Sequence, residues 1–293
     1  MAGLEGRRVV VTGSSRGLGR AFAEALARAG AAVVVNGTDA EAVAEVEAGI
    51  LAAGGRAVAV VGSVAEESVC AALVDTCVSE FGGIDLMLHN AGIVRDRTLL
   101  KMSVDEWDAV IAVHLRGAFL CAREAARAMK EGGGGQILLV TSGSGLAGGF
   151  GQANYAAAKE GMLGLLRTCV LELTRLGIRT NALWPIAETD MTQVVMERAG
   201  AAAADRGETA PTAAQVGFGQ AAEVAEAVLF LAGDEATGFN GQCMTFNGRK
   251  TSLWTHPTEQ YEHFSERPMT ASDLAAWYAD KAPLTIHRPK LVR

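Results

Sequence analysis

The stretch "VVVTGSSRGLGRAF" (residues 9–22) decides the fold of this chain. A short β-branched run leads directly into Gly13, Gly17 and Gly19, and residues with helical spacing follow. Glycines at a strand-to-helix turn allow a tight bend and a close backbone approach, and the free N–H groups of the helix N-terminus attract a pyrophosphate. The stretch therefore predicts a dinucleotide site at the start of an α/β domain.

The rest of the chain alternates between strand and helix patterns. Apolar runs bounded by glycine or polar residues predict seven strands, at 7–12, 31–36, 56–62, 84–89, 135–142, 177–184 and 241–246. Between them lie Ala-, Leu- and Glu-rich stretches, such as 17–30 and 224–233, whose apolar residues recur at helical spacing. This alternation predicts an α/β fold with a parallel sheet covered by helices on both faces.

Two segments interrupt that rhythm. Residues 186–219 are rich in Ala, Gly and Thr, which predicts a substrate lid, with an inert disordered insertion as the alternative. Residues 250–293 follow the last predicted strand and include a predicted helix at 270–281. Their aromatic side chains favour an extension that docks on the core or on a partner subunit. We therefore expect one domain over 1–249, followed by an extension over 250–293.

Composition and charge restrict the partners. The chain has 293 residues and a net charge of -7, so nothing overall attracts nucleic acid. Neither a signal peptide nor an apolar run long enough to span a bilayer is visible, and we expect a cytoplasmic protein without a membrane partner. The five cysteines are scattered, with no CxxC and no Cys/His cluster, which predicts reduced core residues and no metal site.

The run "QANYAAAK" (152–159) places Tyr155 and Lys159 on one face of a helix, one turn apart. Taken alone, the pair fits a half-buried tyrosine beside a solvated lysine equally well. A phenol titrates near pH 10 and an adjacent ammonium favours the phenolate, so we expect Lys159 to lower the pKa of Tyr155. Ser142, at the end of the fifth predicted strand, can hydrogen-bond a carbonyl or a developing alkoxide. The three residues form a candidate catalytic group.

These features together resemble the short-chain dehydrogenase/reductase family. The resemblance rests on T-G-x-x-x-G-x-G at 12–19, "HNAG" at 89–92, Ser142, and Tyr155 with Lys159, in this order along the chain. It implies a single Rossmann-type, doubly wound, seven-stranded parallel sheet and a nicotinamide cofactor. It also implies that Tyr155 is the acid/base, that Lys159 binds the nicotinamide ribose, and that Ser142 holds the substrate oxygen.

The same resemblance implies which residues contact the cofactor. They are Gly13, Ser15, Arg16, Gly17, Leu18, Gly19, Gly37, Thr38, Ser63, Val64, Asn90, Ala91, Gly92, Tyr155, Lys159 and Pro185.

Cofactor preference depends on the end of the second predicted strand. Gly37 stands where NAD-using relatives carry an Asp for the ribose hydroxyl, and Arg16 can pair with a 2'-phosphate. Asp39 could take the acidic role or could cap the following helix. Ser63 stands where the family often has an Asp that touches adenine. We therefore favour NADP over NAD.

The run "VHLRG" (113–117) places His114 where most of the family has an Asn that helps bind a water in the proton relay. His114 could hold that water through its backbone carbonyl or a ring nitrogen, or it could be structural. With 142–159, 190–196 and 266–281, this run is similar to the (3R)-hydroxyacyl-CoA dehydrogenase unit of multifunctional enzyme type 2 and its stand-alone bacterial relatives.

These similarities imply an oxidoreductase that interconverts a 3-oxoacyl and a 3-hydroxyacyl thioester of the CoA type, and that forms a homodimer or homotetramer. One alternative is a ketoreductase of the same family acting on a polyketide, a steroid or another small ketone. A remote alternative is a non-catalytic cofactor-binding scaffold.

Overall fold

An eight-stranded sheet forms the centre of the computed structural model, which describes residues 3–189, 192, 196–197, 200 and 203–282. The strands are β1 Arg8–Val11, β2 Ala32–Gly37, β3 Arg56–Val61, β4 Leu86–His89, β5 Gly135–Val140, β6 Ile178–Pro185, β7 Cys243–Phe246 and β8 Thr251–Trp254. Their order is β3-β2-β1-β4-β5-β6-β7-β8, and β1 to β7 pair in parallel. The predicted α/β class and all seven predicted strands are confirmed.

The eighth strand corrects the prediction of a seven-stranded, wholly parallel sheet. Thr251–Trp254 pairs antiparallel with β7, in the register from Cys243↔Trp254 to Phe246↔Thr251. A tight turn makes this local pairing possible, because Asn247 Oδ1 accepts hydrogen bonds from Arg249 N and Lys250 N at 3.0 and 2.6 Å. A strand of four residues is too short for a clear alternation pattern, so the predicted number of seven strands is one too few.

Helices cover both faces of the sheet. They are α1 Gly17–Arg28, α2 Ala40–Ala52, α3 Glu67–Phe81, α4 Val104–Ile111, α5 Gly117–Gly132, α6 Gly143–Ala147, α7 Ala153–Leu173, α8 Ala221–Ala232 and α9 Ala271–Tyr278. A π-helical turn, Ala112–Arg116, joins α4 to α5. No helix among the described residues has the length and apolar character needed to cross a bilayer.

The core consists of two apolar clusters, one on each face of the sheet. Val9 and Val11 belong to the cluster under α1, α2 and α8, whereas Val10 belongs to the cluster under α3, α5 and α7. This division follows from the two-residue period of a strand. All five cysteines are buried and none forms a disulfide, as predicted.

The ends of the predicted lid at 186–219 are anchored beside the C-terminal ends of β6 and β7. Ile186 N donates to Phe246 O at 2.9 Å, and Ala187 forms a parallel β-bridge with Gly219. Residues 190–191, 193–195, 198–199 and 201–202 of this segment lie outside the described residues. The lid therefore stays a prediction.

The segment after β8 is mostly exposed in a single chain. Helix α9 buries none of its residues, and Phe264 is 84% exposed. Among the described residues of this segment, His263 stacks on Trp277 with 4.4 Å between ring centroids. Docking on a partner subunit stays a prediction, and residues 283–293 lie outside the described residues.

Candidate active site

The loops after β1 and β4 meet at the carboxyl edge of the sheet, where the strand order changes direction. Thr12 Oγ1 accepts hydrogen bonds from Asn90 N at 3.0 Å and Ala91 N at 3.1 Å. Asn90 Nδ2 donates in return to Thr12 O and Gly13 O, at 3.2 and 3.0 Å. The "HNAG" run is thereby fastened to the glycine loop, and open α/β sheets bind ligands at this kind of crevice.

The backbone of the glycine loop is packed too closely to accommodate side chains at Gly13 and Gly19. A Cβ on Gly19 would lie 2.1 Å from Gly13 O, and a Cβ on Gly13 would lie 2.6 Å from Ala91 Cα. No side chain caps the N-terminus of α1, and its first turn has no acidic residue. Free N–H groups at an uncapped helix start bind anions, so this loop fits the pyrophosphate of a dinucleotide.

The end of β2 is also closely packed against the glycine loop. A Cβ on Gly37 would lie 2.8 Å from Ser15 Oγ and 2.9 Å from Val43 Cγ2. Asn36, which the sequence analysis missed, accepts from Gly13 N at 3.2 Å through Oδ1, and its Nδ2 donates to Val60 O at 3.0 Å. The only signal for Asn36 was a polar residue at the end of an apolar strand.

The other predicted cofactor residues lie along the same edge. Thr38 is exposed, Val64 is buried, and Ser63 Oγ accepts from Ala65 N at 3.2 Å. Asp39 accepts from Glu41 N and Ala42 N, each at 3.1 Å, so its side chain caps α2. Four more predicted positions lie on this edge. Arg16 is exposed, and Gly17 has a φ of +55°. Leu18 packs on the core, and Pro185 ends β6.

The catalytic candidates come together between β5 and α7. Lys159 is 2% exposed, and its Nζ donates to Val140 O at 2.5 Å and lies 5.5 Å from the centroid of the Tyr155 ring. The Ser142 hydroxyl acts on the Tyr155 phenol in the direction that lowers its pKa, and Ser142 Oγ accepts from Ser144 N at 3.2 Å. Thr141 Oγ1 donates to Lys159 O at 3.1 Å, which ties α7 to the strand that carries Ser142. The Ser142 hydroxyl, the Tyr155 phenol and the Lys159 amine therefore lie close together at the carboxyl edge of the sheet.

The family model described as short chain dehydrogenase matches residues 7–200. This chain belongs to the short-chain dehydrogenase/reductase family. Hydroxyacyl-CoA dehydrogenase ChsB1 of Mycobacterium tuberculosis is 42% identical over 268 residues, 87% of this chain and 81% of that protein. Peroxisomal multifunctional enzyme type 2 of Mus musculus is 44% identical over 202 residues, 66% of this chain but 27% of that longer protein.

A solved structure supports the same assignment. The crystal structure of a short chain dehydrogenase from Mycobacterium avium superposes with a TM-score of 0.82 at 34% identity, covering 97% of this chain and 99% of that chain. The predicted family resemblance is confirmed, and the protein is an oxidoreductase of a family that binds NAD(P).

The pKa of the phenol in this dehydrogenase differs from the expectation. Burial raises the pKa of Tyr155, the hydrogen bond with Ser142 opposes the shift, and the Asp96 charge adds to it. Burial also lowers the pKa of Lys159 to about 7. The prediction that Lys159 lowers the pKa of Tyr155 is therefore wrong for this arrangement, since the low-dielectric site disfavours the ionised forms of both groups.

His114 lies in the π-helical turn and is 1% exposed. Its ring meets Tyr155 edge-on, with 5.1 Å between centroids, and a Cβ on Gly92 would lie 2.4 Å from its Cε1. His114 Nε2 lies 2.8 Å from Ile93 O and 3.0 Å from Ile93 N, so either tautomer has one partner there. Nδ1 has no hydrogen-bond partner among the described residues.

A second buried histidine, His89, supports His114 in a role that was not predicted. His89 Nε2 lies 3.2 Å from His114 O, and His89 Nδ1 lies 3.4 Å from Thr12 Oγ1. Burial, and then the charge of Lys159, lower the pKa of His89 to about 3. The same two causes hold the pKa of His114 well below its usual range. Both imidazoles are therefore neutral at pH 7.

This burial predicts acid sensitivity of the fold. The pKa of His89 is lower in the folded state than the ordinary 6.5, so the unfolded state binds more protons below pH 6.5. The free energy of unfolding should fall from about pH 6.5 towards pH 3, with a slope of up to about 1.4 kcal/mol per pH unit from this imidazole. We expect His89→Asn to make the slope shallower by that amount in urea unfolding between about pH 6 and 4. The exposed His256→Asn is the control, and equal slopes in His89→Asn and wild type would contradict the prediction.

The eighth strand also supports the loop after β5. The rings of Trp254 and Trp184 lie 5.9 Å apart, and Trp254 Nε1 donates to Thr245 Oγ1 at 2.8 Å. Trp184 in turn packs on Gly143, where a Cβ would lie 2.3 Å from the indole. Since Gly143 directly follows Ser142, β8 contributes to the position of the predicted catalytic serine.

Proposed function

We propose that this dehydrogenase interconverts 3-oxoacyl and 3-hydroxyacyl thioesters of the CoA type, with Tyr155 as the acid/base. The observation that carries the proposal is the convergence of Ser142, Tyr155 and Lys159 beside the glycine loop. The thioester substrate is supported by 42% identity, over 87% of this chain, to a protein named hydroxyacyl-CoA dehydrogenase.

In this mechanism Ser142 and Tyr155 hold the substrate oxygen from the protein side. The raised pKa of Tyr155 keeps the phenol protonated at neutral pH, so it can donate a proton to an alkoxide as the ketone is reduced. The Ser142 hydroxyl stabilises the developing charge on that oxygen. A bound nicotinamide dinucleotide supplies the hydride chemistry. The residues that would hold it are the glycine loop, the start of α1, and Lys159 at the ribose.

His114 is proposed as part of the route that returns a proton to Tyr155. Its backbone carbonyl already lies against His89 Nε2, whereas its ring Nδ1 has no partner among the described residues. A buried polar atom without a partner is costly and is usually satisfied by water. Of the two routes considered, these contacts favour the ring nitrogen over the backbone carbonyl.

We propose NADP as the preferred cofactor, with Arg16 as the residue that contacts the 2'-phosphate. Arg16 is exposed at the start of α1 and forms no ion pair within the described part of the chain, so its guanidinium is available. Charge-assisted hydrogen bonds contribute about 1.5 to 3 kcal/mol, so Arg16→Ala should weaken NADPH about ten- to a hundredfold and NADH much less. Fluorescence titration of both cofactors checks this, with the exposed Arg28→Ala as control. Equal losses for NADPH and NADH would remove Arg16 from that role.

A substrate panel tests the function itself. The loss of NADPH absorbance is measured with a 3-oxoacyl-CoA, the same acyl group on acyl-carrier protein, and small ketones of polyketide or steroid type. We expect the largest kcat/KM for the CoA thioester. A larger value for a small ketone would favour the alternative ketoreductase, and no oxidation with any ketone would favour the non-catalytic scaffold.

We also propose that the enzyme is a homodimer or homotetramer. Large apolar side chains are exposed on three neighbouring helices, at Trp107 of α4, Phe119 of α5 and Leu171 of α7. Exposed apolar groups of this size are common at self-association surfaces, and soluble oligomers are mostly symmetric. The extension at 250–293 would then cover the partner's lid at 186–219, and sedimentation equilibrium of the full chain tests the assembly.

A further inference from the structure

A chain of three polar side chains borders the catalytic group, which it joins at Ser144, whose N donates to Ser142 Oγ at 3.2 Å. Ser144 Oγ donates to Gln152 Oε1 at 2.7 Å, and Gln152 Nε2 donates to the two oxygens of Asp96 at 3.2 and 3.1 Å. Since a carboxylate only accepts hydrogen bonds, Asp96 determines which way the Gln152 amide points.

Backbone contacts hold Asp96 close to Tyr155. Arg97 N donates to Gly151 O at 2.8 Å, and Asn154 Nδ2 donates to Arg95 O at 3.1 Å. These bonds fasten residues 95–97 across the start of α7, which begins two residues before Tyr155. The Asp96 charge is close enough to contribute to the raised pKa of the phenol.

No neighbouring cation neutralises this carboxylate within the described part of the chain. Arg97 pairs with Glu106 at 3.0 Å, and Arg95 is exposed and donates to Val94 O at 2.8 Å. Lys159, the amine of the catalytic group, donates its Nζ to Val140 O. The half-buried Asp96 therefore makes this side of the site negative.

We infer that Asp96 excludes substrates with a free carboxylate beside the reacting ketone, so that a neutral 3-oxo thioester is accepted and a 3-oxo acid is rejected. This inference rests on the proposed function and deepens it. The oxygen of the reacting ketone lies between Ser142 and Tyr155, and the acyl carbonyl of the substrate is two carbons further along.

Such a substrate has a polar arm, which carries the acyl carbonyl, on one side of the ketone and an apolar acyl chain on the other. This difference in polarity orients the substrate. An apolar acyl chain would desolvate the Asp96 carboxylate, whereas a carbonyl can accept from the second N–H of the Gln152 amide when the first is shared between the two Asp96 oxygens. The polar arm therefore lies on this side. A thioester there is neutral, but a carboxylate there meets a like charge in a partly desolvated site.

The test compares matched ketones with and without the charge. The probes are acetoacetate, ethyl acetoacetate and the acetoacetyl thioester of N-acetylcysteamine, and kcat/KM is measured for each with NADPH. In Asp96→Asn the amide oxygen still accepts from Gln152 Nε2, so the variant removes the charge and keeps the hydrogen bond. We expect kcat/KM for acetoacetate to rise about tenfold, with changes of less than about threefold for the neutral probes.

Ionic strength supplies a second readout. Salt screens the repulsion between half-exposed like charges. Raising the ionic strength should therefore reduce the ratio of kcat/KM for the neutral probes to that for acetoacetate in wild type, and leave this ratio unchanged in Asp96→Asn. Gln152→Glu adds a second negative charge at the same place and should lower acetoacetate turnover further. The control Asp108→Asn removes an exposed acid of α4 and should leave every ratio unaltered.

The outcomes separate the two proposals. If the neutral ketones are reduced but acetoacetate responds to Asp96→Asn no more than they do, this inference is wrong and the proposed function stands. If wild type reduces none of the three probes, the proposed function fails and this inference fails with it. Circular dichroism of each variant establishes that it is folded.

Discussion

Tyr155→Phe is expected to lower kcat by about 10² to 10⁴, the usual range for the loss of a general acid/base. The phenol lies beside the Ser142 hydroxyl and, with its pKa raised by burial, is a proton donor at neutral pH. Phenylalanine keeps the ring that packs against His114, at 5.1 Å between centroids, so the fold and cofactor affinity should be retained.

Steady-state kinetics with the best ketone of the panel, together with cofactor titration, checks this result. Tyr278→Phe removes the hydroxyl of an exposed tyrosine in α9 and should have wild-type kcat. Undiminished turnover of Tyr155→Phe would show that proton transfer does not pass through this phenol.

Lys159→Met is expected to cost at least about a hundredfold in turnover, to weaken cofactor binding, and yet to stabilise the cofactor-free protein at neutral pH. Burial lowers the pKa of Lys159 from 10.5 to about 7. Between these values the unfolded state binds more protons, so the stability of wild type rises with pH, by up to about 1.4 kcal/mol per unit. Methionine has a similar shape and removes this penalty.

The substitution also removes a hydrogen bond, and this loss of stability is smaller than the gain. Val140 O loses the donor that Lys159 Nζ supplies at 2.5 Å, which costs about 1 kcal/mol. Since the buried charge costs about 4 kcal/mol at pH 7, we expect a net stabilisation on the order of 3 kcal/mol. The difference should fall as the pH rises and reverse near the ordinary lysine pKa, where only the lost hydrogen bond to Val140 O remains.

Urea unfolding of both proteins from about pH 7 to 10 measures this difference. Lys130→Met, on the exposed side of α5, is the matched control and should follow wild type at every pH. A Lys159→Met protein that is less stable than wild type at pH 7, with the same pH slope, would show that Lys159 is not a destabilising buried base.

The sequence by itself determined the seven parallel strands and the candidate catalytic residues Ser142, Tyr155 and Lys159 of this dehydrogenase. Strand and helix patterns are local, and each of the seven predicted strands needed only its own residues to be recognised. The pair Tyr155 and Lys159 depends on helical spacing alone, and Gly13 and Gly19 on a turn of a few residues. β8 was missed because its four residues are stabilised by pairing with β7 and not by their own pattern.

Only the tertiary structure decided the electrostatics and the surroundings of the site. Burial reversed the expected direction for the pKa of Tyr155, and burial is a property of the packed core rather than of a helical spacing. Asp96 and Gln152 lie 56 residues apart in the chain and meet because residues 95–97 cross the start of α7. His89 and His114 are likewise joined across 25 residues. Such contacts depend on how separate elements pack together, so no local pattern in the sequence records them.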